Sequence, residues 1–156
     1  MINVFGRHEK NKEAPLSYRS ILVPVDGTEA SLRAVEFACN IARRGRAKVH
    51  VVHVIEVRRA LRLDADLTEE AQHGEEVLTQ AELAARRQDY EVDGELLQAR
   101  DAGHAIVDEA IERNSDIIVM GVPYTRPFGE FELSRVPTQV MKTAPCEVVM
   151  LRMPAE

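Results

Sequence analysis

Tryptophan is absent from this 156-residue chain, and aromatic residues make up only 4% of it. Single-strand nucleic-acid platforms hold bases by stacking them on aromatic rings, so the composition argues against one. Positive charge is also short. Twenty Lys and Arg stand against 26 Asp and Glu, a formal net charge of -6, whereas a phosphate-backbone partner calls for a basic face. Cys39 and Cys146 are the only cysteines, with no CxxC pair and no framework of spacings. Reduced thiols in a cytoplasmic compartment are therefore expected, with no thiolate metal site. No run approaches the ~20 apolar residues needed to span a bilayer, and the opening residues lack the charged-then-apolar order of a secretion signal. No integral membrane segment is expected.

What is present is enough for one domain, since 45% of the residues are hydrophobic and a chain of this length buries a core without disulfides or metals. Residues 1–19 mix charges with Gly6, Asn11 and Pro15 and show no sustained period, so they read as an N-terminal extension. The domain is expected over 20–152, with a short tail at 153–156. Residues 20–25 (SILVPV) form an apolar run ending in Asp26-Gly27-Thr28, turn chemistry with Thr28 placed to cap a helix. From 29 to 44, Ala34, Val35, Ala38, Ile41 and Ala42 recur at helical spacing, and Gly45 supplies a stop. Residues 48–54 (KVHVVHV) are strand-like, with His50 and His53 on opposite faces. A long connection over 55–67, either lid or linker, leads to a helix over about 68–88. That helix has an acidic start and a basic end, which suit its dipole. Residues 90–99 give a weaker strand with Gly94 marking a bulge, and Asp101 caps a helix through Arg113.

The stretch over 116–152 holds the strongest functional signal. Ile117, Ile118, Val119 and Met120 lack polar alternation, as in a strand buried on both faces, and Gly121 ends the run. Ser134 is placed to cap a helix over 135–142 that tolerates Pro137 in its first turn, and residues 147–151 form a last strand. Strand and helix therefore alternate as β-α-β-α-β-α-β-α-β, the signature of an open parallel sheet with helices on both faces. Ligands of such sheets bind beyond the strand C-termini at the topological switch point. Asp26, Val54 and Gly121 are the neighbours this rule brings together.

ILVPVDGTEAS, VHVVHV, DAGHAIVDEA, DIIVMG and APCEVVML together resemble a universal stress protein domain over Ser20 to about Arg152. The resemblance implies an α/β fold with a five-stranded parallel sheet of order 3-2-1-4-5 and a homodimer paired through the last strand. The action expected of such a domain here is regulatory, with a protein or transporter client and no robust catalysis. Some members bind ATP or AMP through G-x2-G-x9-G-[ST] after the fourth strand, where backbone amides hold the phosphates. Gly121 matches the first glycine and Met120 the residue before it. Asp26 matches the acidic residue that contacts adenosine, and Val54 and Val136 match apolar positions around the nucleotide. Tyr124, Ser134 and Arg135 stand where the second glycine, the third glycine and the small hydroxyl residue belong.

Two outcomes follow. Arg135, with Arg126, replaces the lost amides by guanidinium contact and keeps an adenine nucleotide or selects a cyclic one. Alternatively Tyr124 and Arg135 fill the phosphate space and the domain works without nucleotide, so no cofactor is certain. Other candidates have plain readings beside sharp ones. Asp26 is a turn former as well as an acceptor for a ribose or amino group. His53 is a packed strand histidine or, lacking any triad partner, an isolated base. His73 with Glu69 or Glu70 shares a helical face that is either solvated or metal-holding. Cys146 is a buried hydrophobe or a dimer-interface residue. No catalytic set emerges, since Glu130 and Glu132 are the only carboxylates in the 121–134 loop.

Overall fold

Within residues 17–155, which the computed structural model describes, strand and helix alternate throughout. The order is β1 (Ser20–Pro24), α1 (Glu29–Ala42), β2 (Lys48–Glu56), α2 (Thr68–Arg87), β3 (Asp93–Ala99), α3 (Ala102–Glu112), β4 (Ile117–Val122), α4 (Arg135–Thr143) and β5 (Glu147–Arg152). All pairings are parallel and the sheet order is β3-β2-β1-β4-β5, as the alternation and the resemblance implied. The expected N-terminal extension lies, apart from residues 17–19, outside the described residues. Tyr18 and Arg19 are bonded to the sheet end. The Arg19 and Ser20 amides donate to Asp116 Oδ2 at 2.5 and 3.1 Å, and the Tyr18 hydroxyl donates to Glu147 at 3.2 Å.

The period of two in the strands splits the core into two layers. Ile21, Val23, Val49, Val51, Ile117 and Val119 face α1 and α2, while Leu22, Val52, Ile118 and Met120 face α3 and α4. Each fully buried Val, Leu or Ile contributes about 1.5–3 kcal/mol, so this double core is what holds the sheet. Thr28 caps α1 as its sequence suggests, Oγ1 accepting from the Ser31 amide at 3.2 Å. α1 ends at Ala42, and the left-handed residue beyond it is Arg46 (φ 51) rather than Gly45. Gly45 answers a different need, because a β-carbon there would press on the Tyr18 carbonyl.

Three local expectations are corrected. β3 pairs continuously with β2 from His50↔Asp93 to Glu56↔Ala99, so Gly94 marks no bulge. Its weak alternation reflects an edge strand with little burial. Gly121 does not end β4 but pairs with Leu151 inside it. Ser134 occupies the N-cap of α4 yet its side chain makes no capping bond. The third helical residue is Pro137, which has no amide to offer such a cap.

Candidate ligand-binding site

The chain leaves β1 toward β2 and β3 on one side and returns to β4 and β5 on the other, so β1 and β4 part at the switch point. A cavity of about 200 Å³ opens there. Its floor is the ends of β1, β2 and β4, and its sides are the first turns of α3 and α4. Asp26, Val54, Met120, Gly121, Ser134 and Val136 all line it. Six of the seven residues named from the sequence are thus brought together from separate segments.

Local chemistry sets the walls. Gly27 takes φ +86, which turns the chain sharply after β1. Asp26 Oδ1 accepts from the Thr28 amide at 3.0 Å and the Thr28 hydroxyl at 2.6 Å, and the Asp26 amide donates to Ser31 Oγ at 3.3 Å. Asp26 is therefore a turn former in fact, and among the described residues no donor reaches its Oδ2. Gly121 is dictated by packing, because a β-carbon there would land on the backbone carbonyl of Ala30. The glycine lets the first turn of α1 lie directly against β4 beside the cavity.

Arg135 is not brought into the cavity. Its guanidinium donates to Glu56 Oε1 at 2.6 Å and to Asp101 Oδ2 at 3.4 Å. Glu56 Oε1 also accepts from the Ala102 amide at 3.1 Å, which binds the end of β2 to the start of α3. Asp101 caps α3 through the His104 amide at 3.0 Å. That amide bond, ahead of Arg135, holds the Asp101 carboxyl below its ordinary value. The hydrogen bond to Glu56 holds the Arg135 guanidinium above its own.

Tyr124 also departs from expectation. It does not line the cavity but lies parallel to Phe131, ring centroids 5.7 Å apart, with Arg152 of β5 over it at 4.8 Å and Arg126 at 5.7 Å. The stack with Phe131 and two cations accounts for its position outside the cavity. The connection over 57–67 lines no part of the cavity either. Arg100 ties it down by donating to the Val57, Arg58 and Leu61 carbonyls.

Val25, Ser31 and Ile106, which the sequence did not single out, also line the cavity, together with His53, one of the histidines weighed above. His53 Nδ1 lies 2.8 Å from the Val25 carbonyl and so donates to it. For Val25, Ser31 and Ile106 position in the topology was the available signal, since each lies just past a strand or in a helix's first turns. Among the described residues no group of three or more His, Cys, Asp or Glu could hold a metal ion, so His73 with Glu69 and Glu70 assembles none.

The model of the Universal stress protein family matches residues 17–152. The chain belongs to that family. A universal stress protein of Methanocaldococcus jannaschii is 29% identical over 143 residues, covering 88% of this chain and 84% of the relative. The solved universal stress protein of Archaeoglobus fulgidus superposes with a TM-score of 0.74 at 27% identity, over 85% of this chain and 98% of that one. A second structure from that organism, 26% identical with a TM-score of 0.67 over 85% of this chain and 97% of the other, is a complex with dAMP. No helix among the described residues is long and apolar enough to cross a membrane.

Proposed function

We propose that this universal stress protein is a non-catalytic regulatory domain of the cytoplasm that pairs with a second copy through β5 and responds to an adenosine-type ligand in the switch-point cavity. The observation that carries the reading is the convergence of Asp26, Val54, Met120, Gly121, Ser134 and Val136 on one cavity. Val54, Met120 and Val136 offer apolar walls to a flat ring, and the Asp26 carboxylate offers an acceptor to a hydroxyl or amino group. The dAMP complex of the Archaeoglobus relative supports that ligand class. A route to a partner-facing surface is also at hand. Pro123 lines the cavity, and the next residue, Tyr124, carries Arg152 of β5 over its ring. A ligand that orders this loop bears directly on the edge strand.

A second reading, an interaction domain that serves a protein or transporter client without nucleotide, draws on the engagement of Arg135 by Glu56 and Asp101. Thermal unfolding separates the two. A ligand that binds only the folded chain stabilises it by about 2.7 kcal/mol at a hundredfold excess over Kd. An upward shift with adenosine, AMP, ATP or cyclic AMP is expected; no shift with any of them at millimolar concentration leaves only the second reading.

A further inference from the structure

We infer that the cavity selects an uncharged purine nucleoside over its 5′-phosphates, and that Glu56 and Asp101 set this preference by holding Arg135 away from the ligand. The inference rests on the adenosine-type reading above and narrows it. Among the described residues no Lys or Arg lines the cavity, and the one carboxylate that does, Asp26, repels an anion.

Four arginines sit within three residues of cavity-lining residues in the chain, and each is committed elsewhere. Arg33, two residues after Ser31, pairs with Glu36 at 3.2 Å. Arg135 lies between Ser134 and Val136 and is paired with Glu56 and Asp101. Arg100, two residues before Ala102, donates to three carbonyls of the 57–61 segment. Arg126, three residues after Pro123, lies over the Tyr124 ring. Within the Arg135 cluster itself two carboxylates face one guanidinium and leave one negative charge in excess. Pro123 in the loop and Pro137 in the first turn of α4, both in the lining, have no amide hydrogen to offer a phosphate. Size points the same way. At about 200 Å³ the cavity is smaller than the ~300–1,000 Å³ usual for small-molecule sites, which favours a nucleoside over the same nucleoside extended by phosphates.

The probes are adenosine and AMP, titrated calorimetrically into the full chain at physiological salt. Adenosine is expected to bind at least about tenfold more tightly than AMP, the scale of one unfavourable charge contact at a solvated rim. In the Glu56→Gln, Asp101→Asn double variant the AMP affinity is expected to rise about tenfold, because the freed guanidinium can reach a phosphate. Adenosine binding is expected to hold. Gln retains an acceptor for the Ala102 amide, and Asn is as good an N-cap as Asp. AMP binding the unaltered chain as tightly as adenosine overturns the inference while keeping the adenosine-type site, and needs no variant to fold. A folded double variant with an unchanged adenosine-to-AMP ratio overturns the role of Glu56 and Asp101. Binding of neither compound overturns the underlying reading together with the inference.

Discussion

Arg135 Nη2 lies 2.6 Å from Glu56 Oε1, an oxygen that also accepts from the Ala102 amide at 3.1 Å. One carboxylate thus holds the ends of β2, α3 and α4 together at the cavity rim. The two partners are unequal, because Arg135 contributes exposed ion pairs while Glu56 also satisfies an amide at the first turn of α3. Glu56→Ala is expected to lower stability by about 1 kcal/mol through the lost amide bond. Arg135→Ala should change the unfolding midpoint by no more than replicate scatter. Urea denaturation of both variants measures this, and equal losses would show that the ion pair is the stabilising element.

Gly121→Ala tests whether the first glycine of the loop is a packing residue. The added methyl would meet the Ala30 backbone, which cannot rotate aside as a flexible side chain would. Overpacking of this kind costs roughly 1–3 kcal/mol. A urea midpoint equal to that of the unaltered chain would mean that α1 and β4 separate freely and that Gly121 answers only to a ligand.

His50 predicts a pH dependence. It is 9% exposed, and Arg113 Nη1 lies 3.0 Å from its Nδ1, so that nitrogen accepts and the ring is neutral. Burial first, then the Arg113 guanidinium with Lys48 adding, hold its pKa below the ordinary 6.5, against Asp93 and Glu95. A folded value below the unfolded one means full stability above about 6.5, lost as the pH falls below it through the folded value. The urea midpoint should therefore fall between pH 7 and 5, and His50→Gln should flatten that decline. A variant that declines as steeply as the unaltered chain assigns the titration to another group.

Thiol chemistry should be slow and ordered. Cys39 is fully buried, and burial pushes its thiol up to about 11. Cys146 is half-buried and raised by the same cause. Iodoacetamide at pH 8 is expected to label Cys146 first and Cys39 only at the rate of unfolding. Peptide mapping that finds Cys39 modified first in the native chain would contradict this burial.

The β5 edge carries the prediction about assembly. The Met153 amide donates to Val122 of β4 at 2.8 Å, so alternation turns the Met150 amide to the open edge. Met150→Pro removes an outward donor while sparing the ladder to β4. The unaltered chain is expected to sediment as a dimer at micromolar concentration and the variant as a monomer of unchanged helical content. A monomeric unaltered chain would remove β5 as the seam.

Legibility in the sequence followed the physics of each element. The runs at Ile21 to Val23 and Ile117 to Met120 announced strands because they are buried on both faces, and Thr28 and Asp101 announced helix starts because their side chains bond the adjacent amides. β3 was weak because an edge strand has little to bury. Ser134 misled because a cap residue cannot be judged apart from Pro137, which removes the amide it would bind.

The sequence by itself determined the order of strands and helices, the membership of six residues in one crevice, and the departure from the glycine pattern at Tyr124, Ser134 and Arg135. The order of elements is a property of periodicity and spacing, which act over a few residues. The switch-point rule brings Asp26, Val54 and Gly121 together, and the other memberships and the departures are what the family resemblance implies. Only the tertiary structure decided what the departures do. Tyr124 stays out of the cavity because Phe131 and Arg152 offer it a stack. Arg135 turns from the cavity because Glu56 and Asp101, 79 and 34 residues away in the chain, converge on its guanidinium. Gly121 is fixed by the Ala30 carbonyl rather than by a turn. Each outcome depends on partners that only folding brings within contact, and a side chain's direction follows the partner it finds.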